Sequence, residues 1–169
     1  MSKKLYIAGS LFSEAEIDKR LKEEEEIKNV VRNINIYNPI NAPCNDKENN
    51  LPSASDIFWG DTKEILESDV VVADISNQLD AGVIAEMGIV WTINYIHSLA
   101  EQGITLDEIL SIFPKKKLIP HLSDIRKSTA NKYFGHFTPF GYNQFVMGMI
   151  TDITDVKDNF NEVLEELKK

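Results

Sequence analysis

The chain has 169 residues, with 27 acidic against 18 basic side chains and a formal net charge of −9. That length suits one domain with a proper core. The excess negative charge repels the phosphates of nucleic acids and acidic membranes, yet it leaves room for a small uncharged substrate. One cysteine, Cys44, excludes an intrachain disulfide and a cysteine-cluster metal site. No run nears the roughly 18 apolar residues that a spanning helix needs. Met1-Ser2-Lys3-Lys4 leads into a strand-length apolar run, unlike a signal peptide. The reading is a cytoplasmic protein of one domain over residues 1–169.

Leu5-Tyr6-Ile7-Ala8 is a buried first strand that meets a tight turn at Gly9-Ser10. Phe12 to Arg32 has helical character. Ser13 and Glu16 form a capping-box pattern, and Ile17, Leu21, Ile27 and Val31 supply an apolar side. The charge run Glu23 to Glu26 reads as a solvated face. Ile34 to Tyr37 alternates and stops at Asn38-Pro39, which gives a second strand. Ile40 to Pro52 is a long polar loop. Ser53 or Ser55 caps a helix over Asp56 to Glu67, with Ile57, Phe58, Ile65 and Leu66 apolar and Asp61 upon it.

Asp69 to Ile75 is a third strand, continuous enough in apolar character for a parallel sheet covered on both faces. Ser76 to Leu79 follows, and Asp80 is a good N-cap for an apolar helix that runs past Ile96. A short helix is expected around Leu106 to Ile112 and a fourth strand over Lys116 to Pro120. Ser123 to Tyr142 is irregular, and Asn143 to Ile150 is helical. Ile153 marks a short edge strand, and Val156 to Leu167 forms a last helix. The alternation predicts a doubly wound, flavodoxin-like α/β fold with about five parallel strands and helices on both faces. Ligands of such sheets sit beyond the carboxyl ends of the strands. That rule points to Gly9-Ser10, Asn38 to Asn41, and Asp74 to Asp80.

Glu86 is the residue that demands a reason. It stands in an apolar helix among Val83, Ile84, Met87 and Val90, and a buried carboxylate is costly unless paired or set at a cleft. Asp80 lies six residues earlier, about 600° around the helix, so the two do not share a face. Gly82 lies on the side of Glu86, where a glycine lets a ligand approach the backbone. Two or three carboxylates in one cleft suit glycosyl chemistry, one attacking a sugar carbon and another handling the leaving group's proton. Plainer readings stand beside this one. Asp80 serves equally as a cap alone, Asp61 as an exposed helix acid, and Asp74 as the closure of an Asx-turn. His97, His121 and His136 are scattered and read as non-catalytic.

Leu5-Tyr6-Ile7-Ala8-Gly9, Asp61, Asp80-Ala81-Gly82, Glu86-Met87-Gly88 and Asn143-Gln144-Phe145, in that order and spacing, resemble the nucleoside 2-deoxyribosyltransferase family. The resemblance covers Tyr6 to about Ile150. It implies transfer of 2-deoxyribose between nucleobases of 2′-deoxynucleosides through a covalent deoxyribosyl-glutamate, for nucleoside salvage. Glu86 is then the nucleophile, Asp61 and Asp80 handle the base, and Tyr6 positions Glu86 or the sugar. Gly9, Phe12 and Gly82 line the pocket, and Asn143 and Phe145 bind the sugar of a neighbouring subunit's site. A methionine is frequent in the family where Phe145 stands. The resemblance implies no metal, no cofactor, and a dimer-based homo-oligomer, with hexamers common among relatives. Partners are 2′-deoxynucleosides and free nucleobases. Two rivals are a 2′-deoxynucleoside 5′-monophosphate N-glycosidase, whose relatives tend to carry serine where Asp80 stands, and a non-catalytic nucleoside-binding module.

Overall fold

In a computed structural model of the chain, residues 2–43, 52–124, 132–133, 136–137 and 142–169 are described. Strand β1 (Lys3–Ala8) runs between β2 (Ile34–Tyr37) and β3 (Val70–Ala73), parallel to both, so the sheet order is β2-β1-β3. Leu5 to Ala8 are almost wholly removed from solvent, as expected of a central strand with both faces covered. Helix α1 (Glu14–Val30) connects β1 to β2, and α2 (Ala54–Glu67) connects β2 to β3. These two crossovers run in opposite directions along the sheet, and right-handed connection puts their helices on opposite faces. Helix α3 (Ala81–Glu101) leaves β3, and α4 (Leu106–Ile112) follows it. The carboxyl ends of β1 and β3 therefore meet at the point where the winding reverses, the usual ligand crevice of such sheets.

The capping boxes Ser13–Glu16 and Ser53–Asp56 start α1 and α2, so Ser53 rather than Ser55 is the cap. The main apolar cluster joins Tyr6 and Ala8 of β1, Ile65 of α2 and Val83 of α3, with Tyr37, Val71, Met87 and Val90 packed against it. Helix α5 (Gln144–Ile153) lies along α2, with Phe145 edge-on to Phe58 at 5.2 Å, and α6 (Phe160–Leu167) closes the chain.

Three expectations need correction. The parallel sheet has three strands among the described residues, not about five. The stretch expected as strand Lys116–Pro120 is reduced to a single parallel bridge between His121 and Lys157. Pro114 and Pro120 remove backbone donors, and Lys115 to Lys117 offer no apolar face to bury. Ile153 ends α5 rather than marking an edge strand, and the pairing falls four residues later, at Lys157. The irregular segment before α5 does contain two-residue strands, β4 (Lys132–Tyr133) and β5 (His136–Phe137), paired antiparallel. Cys44 and most of the second half of the polar loop lie outside the described residues.

The expected apolar side of α1 is also only partly covered, since Leu21 and Val31 are exposed. The residue that α1 buries is Arg20, only 1% accessible. Its guanidinium lies beneath the turn after β1. Nη2 donates to Asp74 at 2.7 Å and to Glu23 at 2.9 Å, and Nη1 points to the Ala8 carbonyl. A Cβ on Gly9 would fall 1.4 Å from Nη1, so glycine is the residue that admits the arginine. Gly9→Ala is expected to displace the guanidinium and to cost about 1–3 kcal/mol. Because the clash needs both partners, Gly9→Ala combined with Arg20→Leu is expected to be no less stable than Arg20→Leu alone. Urea midpoints of the three variants check this, and simple additivity would refute it.

Candidate active site

At the carboxyl edge of the sheet, β1 contributes Tyr6 and then Ser10, β2 contributes Tyr37, α2 contributes Asp61, and α3 contributes Asp80, Gly82 and Glu86. The Tyr6 side chain is fully buried, and its hydroxyl donates to Glu86 Oε1 at 2.7 Å. Glu86 itself is 7% accessible. Burial pushes its carboxyl up to about 8. The negative charges of Asp61 and Asp80 add to that rise, and the Tyr6 hydrogen bond works against it. Tyr6 is pushed well above its ordinary value by its own burial and then by the charge of Glu86, so it remains a neutral donor.

Asp61 is buried, not the exposed helix acid of the plainer reading. It sits on the covered stripe of α2 with Phe58, Thr62 and Ile65. Burial raises its carboxyl to about 6, against the pull of a hydrogen bond of 3.1 Å from the Tyr37 hydroxyl. Asp80 is indeed the N-cap of α3. Its Oδ1 accepts from the backbone amides of Gly82 at 3.0 Å and Val83 at 3.3 Å. Its Oδ2 accepts from Ser10 Oγ at 2.7 Å, and Asn77 donates to the same hydroxyl at 3.0 Å. Three of the roughly four acceptor positions of an ionised carboxylate are thus in use. The negative group stands at the positive end of the helix.

Asp74 does close an Asx-turn, accepting from the Ser76 amide at 3.1 Å. Lys19 first, then Ser76 and Arg20, hold its carboxyl well below the usual range. Asp74 is a permanent anion of the scaffold, whereas Asp61 and Glu86 titrate near neutrality.

The remaining expected residues divide. A Cβ on Gly82 would lie 2.9 Å from Asn143 Nδ2 and 3.2 Å from Asp80 Oδ1, so the glycine makes room for both side chains. Asn143 abuts Gly82 of its own chain and caps α5. Phe145 faces Phe58 in the α2–α5 contact. Phe12 is exposed, and Gly9 covers Arg20. Tyr37 and Arg20 were not singled out from the sequence, whereas Ser10 and Asn77 lie in the strand-end stretches to which the crevice rule points. Tyr37 had one signal: like Tyr6, it lies at the carboxyl end of a strand.

The nucleoside 2-deoxyribosyltransferase family model matches residues 5–99, more than half of the chain and all of the elements that carry Tyr6, Asp61, Asp80 and Glu86. The chain belongs to the nucleoside 2-deoxyribosyltransferase family. An uncharacterized protein of Ureaplasma parvum serovar 3 is 28% identical across the full length of both chains. A crystal structure of a conserved protein from Enterococcus faecalis V583 shares 26% identity, with a TM-score of 0.45 over 99% of this chain and 98% of that one. In this member of the family, no helix among the described residues is long and apolar enough to cross a membrane.

The raised acid at Glu86 has a consequence for stability. In the unfolded chain a glutamate ionises near its ordinary value, whereas the folded protein keeps Glu86 protonated up to about 8. Between those limits the native state binds more protons than the unfolded one, so this contribution is full at low pH and is lost as pH rises toward 8. Glu86→Gln keeps an acceptor for Tyr6 and removes the titration. Thermal melts from pH 4 to 9 are expected to show the variant gaining on the parent as pH rises, by a few kcal/mol at most. A constant difference across that range would refute it.

Proposed function

We propose that the protein transfers 2-deoxyribose between nucleobases of 2′-deoxynucleosides by double displacement. The observation that carries the proposal is Glu86 itself: a buried carboxyl, held by Tyr6 and close enough to Asp61 and Asp80 to be perturbed by both, in a chain of this family. In the first step a Glu86 oxygen bonds to C1′ as the C1′–N bond breaks, and the departing base takes a proton from Asp61. In the second step an incoming base attacks C1′, returns a proton to Asp61 and releases Glu86 as carboxylate. Two inversions give net retention. Asp80, with most of its acceptor capacity committed to Ser10 and the α3 amides, fills the helix mouth and leaves the proton work to Asp61.

The same residue argues against the monophosphate glycosidase. A phosphate drawn to the N-terminus of α3 would meet the Asp80 charge. At about 4 Å and an effective dielectric of about 20, that repulsion is about 4 kcal/mol per pair of charges. The acids Asp61 and Glu86, both raised toward neutrality, argue against a mere binding module, because binding needs no titrating pair.

A homo-oligomer is part of the proposal. Helix α3 exposes an apolar stripe of Ile84, Trp91 and Tyr95 beside Gly88, and Val70 and Val72 of β3 are also open to solvent. A second copy of the chain would cover such a surface. Trp91→Glu is expected to lower the sedimentation mass, and an unchanged mass would remove this face from the interface.

Incubation with a deoxynucleoside and a free acceptor base tests the reaction. The expected result is base exchange, a Glu86 peptide heavier by one deoxyribosyl group in mass spectra, and no cleavage of deoxynucleoside monophosphates. Glu86→Gln is expected to lower transfer by three orders of magnitude or more. The rate is expected to be bell-shaped in pH. Between about 6 and about 8 the Asp61–Glu86 pair holds one proton, and the reactive form is the share in which that proton sits on Asp61 and Glu86 is ionised; the rate falls below about 6, where both are protonated, and above about 8, where neither is. Base release from the monophosphate alone would sink the proposal.

A further inference from the structure

Tyr6 and Tyr37 are partners in the β1–β2 register. Their rings stack 5.5 Å apart and within 17° of parallel. Their hydroxyls, however, end on different helices: Tyr6 reaches Glu86 of α3, and Tyr37 reaches Asp61 of α2. Among the described residues, Asp61 and Glu86 share no hydrogen bond with each other. Each is referred to a strand, and the two strands are hydrogen-bonded neighbours. A proton donor and a nucleophile that act on adjacent atoms of one substrate need a fixed separation. Two helices packed through flexible apolar side chains would hold that separation poorly, whereas a stacked pair in sheet register holds it well.

We propose that Tyr37 is a positioning residue of the transfer reaction: its hydroxyl fixes Oδ1 of Asp61, leaving Oδ2 to exchange the nucleobase's proton, and its ring on Tyr6 ties the acid to the nucleophile. The inference rests on the assignment of Glu86 as nucleophile and Asp61 as proton carrier. The charged and titrating groups around Asp61 are few. Glu64 of the same helix raises its carboxyl, and Glu86 of α3 lies close enough for Asp61 to perturb it. From the strands, the groups are Tyr6 and Tyr37. On α5, which packs along α2, Asp152 is engaged by the Trp59 indole at 2.9 Å. Of these, Tyr37 is the group that donates a hydrogen bond to Asp61 and draws its carboxyl down.

The test compares the parent with Tyr37→Phe and with a protein carrying 3-fluorotyrosine at position 37. Phenylalanine keeps the stacked ring and removes the donor, and the fluorinated phenol is a stronger donor. The Asp61 carboxyl is followed by carbon-13 NMR of aspartate-labelled protein, assigned with Asp61→Asn, and kcat/KM for base exchange is followed against pH. The expected result is an Asp61 midpoint moved up from about 6 by phenylalanine and down by fluorotyrosine. The pH dependence of kcat/KM is expected to move in the same sense, with melting temperatures little changed. A purely structural role would not produce shifts of opposite sign. An Asp61 midpoint unmoved in both proteins would overturn the assignment even in a fully active enzyme. Opposite shifts in a protein without base exchange would uphold the Tyr37–Asp61 pairing and overturn the transferase reading instead.

Discussion

The site depends on one donor, the Tyr6 hydroxyl, and on the rigidity of the strand that carries it. β1 is the central strand of the sheet, hydrogen-bonded on both edges, and Leu5 to Ala8 are buried. A tyrosine in that position cannot swing, because its ring is packed against Tyr37, Val83 and the rest of the apolar cluster. Its hydroxyl is therefore a fixed point from which Glu86 is hung. Without that hydrogen bond the carboxyl would be buried with less to favour its charged form, and its tendency to hold a proton would rise further. Burial and the hydrogen bond together leave the Glu86 carboxyl near neutrality, where it can ionise.

The same edge of the sheet sorts carboxylates by environment. Asp74 is surrounded by Lys19, Arg20 and the Ser76 amide, and stays charged under all ordinary conditions. Its task is mechanical: with Arg20 it clamps α1 to the ends of β1 and β3 and so shapes the Gly9-Ser10 turn. That turn presents Ser10 to Asp80, and Asp80 sets the first turn of α3, on which Glu86 stands. A partly buried ion pair on one face of the sheet is thus linked by three short steps to the position of a titrating acid on α3. Asp61 and Glu86 have no cation at hand among the described residues, and burial governs them instead.

Much of this was legible in the sequence, and what was not follows from distance along the chain. Glu86 stood out because a charge in an apolar helix is a local contradiction. The caps Ser13, Ser53 and Asp80 are local signals and were readable for that reason, as was the Asx-turn at Asp74. Asp61 was misjudged as exposed when read alone, although Phe58, Thr62 and Ile65 around it have the i, i+3, i+4 spacing of a buried stripe. Arg20 was invisible because the partners that bury it, Asp74 and the Ala8 carbonyl, lie 54 and 12 residues away at the ends of two strands. Tyr37 required knowing that β2 pairs with β1 in a register that opposes it to Tyr6. Lys116 to Pro120 does not form a strand because the prolines at 114 and 120 and the lysines at 115 to 117 outweigh the two apolar residues between them.

The residue whose meaning changes most is Asp80. In doubly wound folds the amino end of a helix at the switch point attracts anions through its free amides and dipole. Here the chain supplies that anion itself. Asp80 Oδ1 takes two of the α3 amides that a phosphate would otherwise use, and Ser10 and Asn77 brace the carboxylate from the other side. Two anions cannot share that mouth without a repulsion of about 4 kcal/mol at about 4 Å, close to a thousandfold in affinity. Under the proposed function, the charge that completes the helix cap is what discriminates against phosphorylated ligands before any chemistry begins. It also adds to the rise of the Glu86 carboxyl, so in the proposed reaction substrate selection and the protonation of Glu86 are coupled through one side chain.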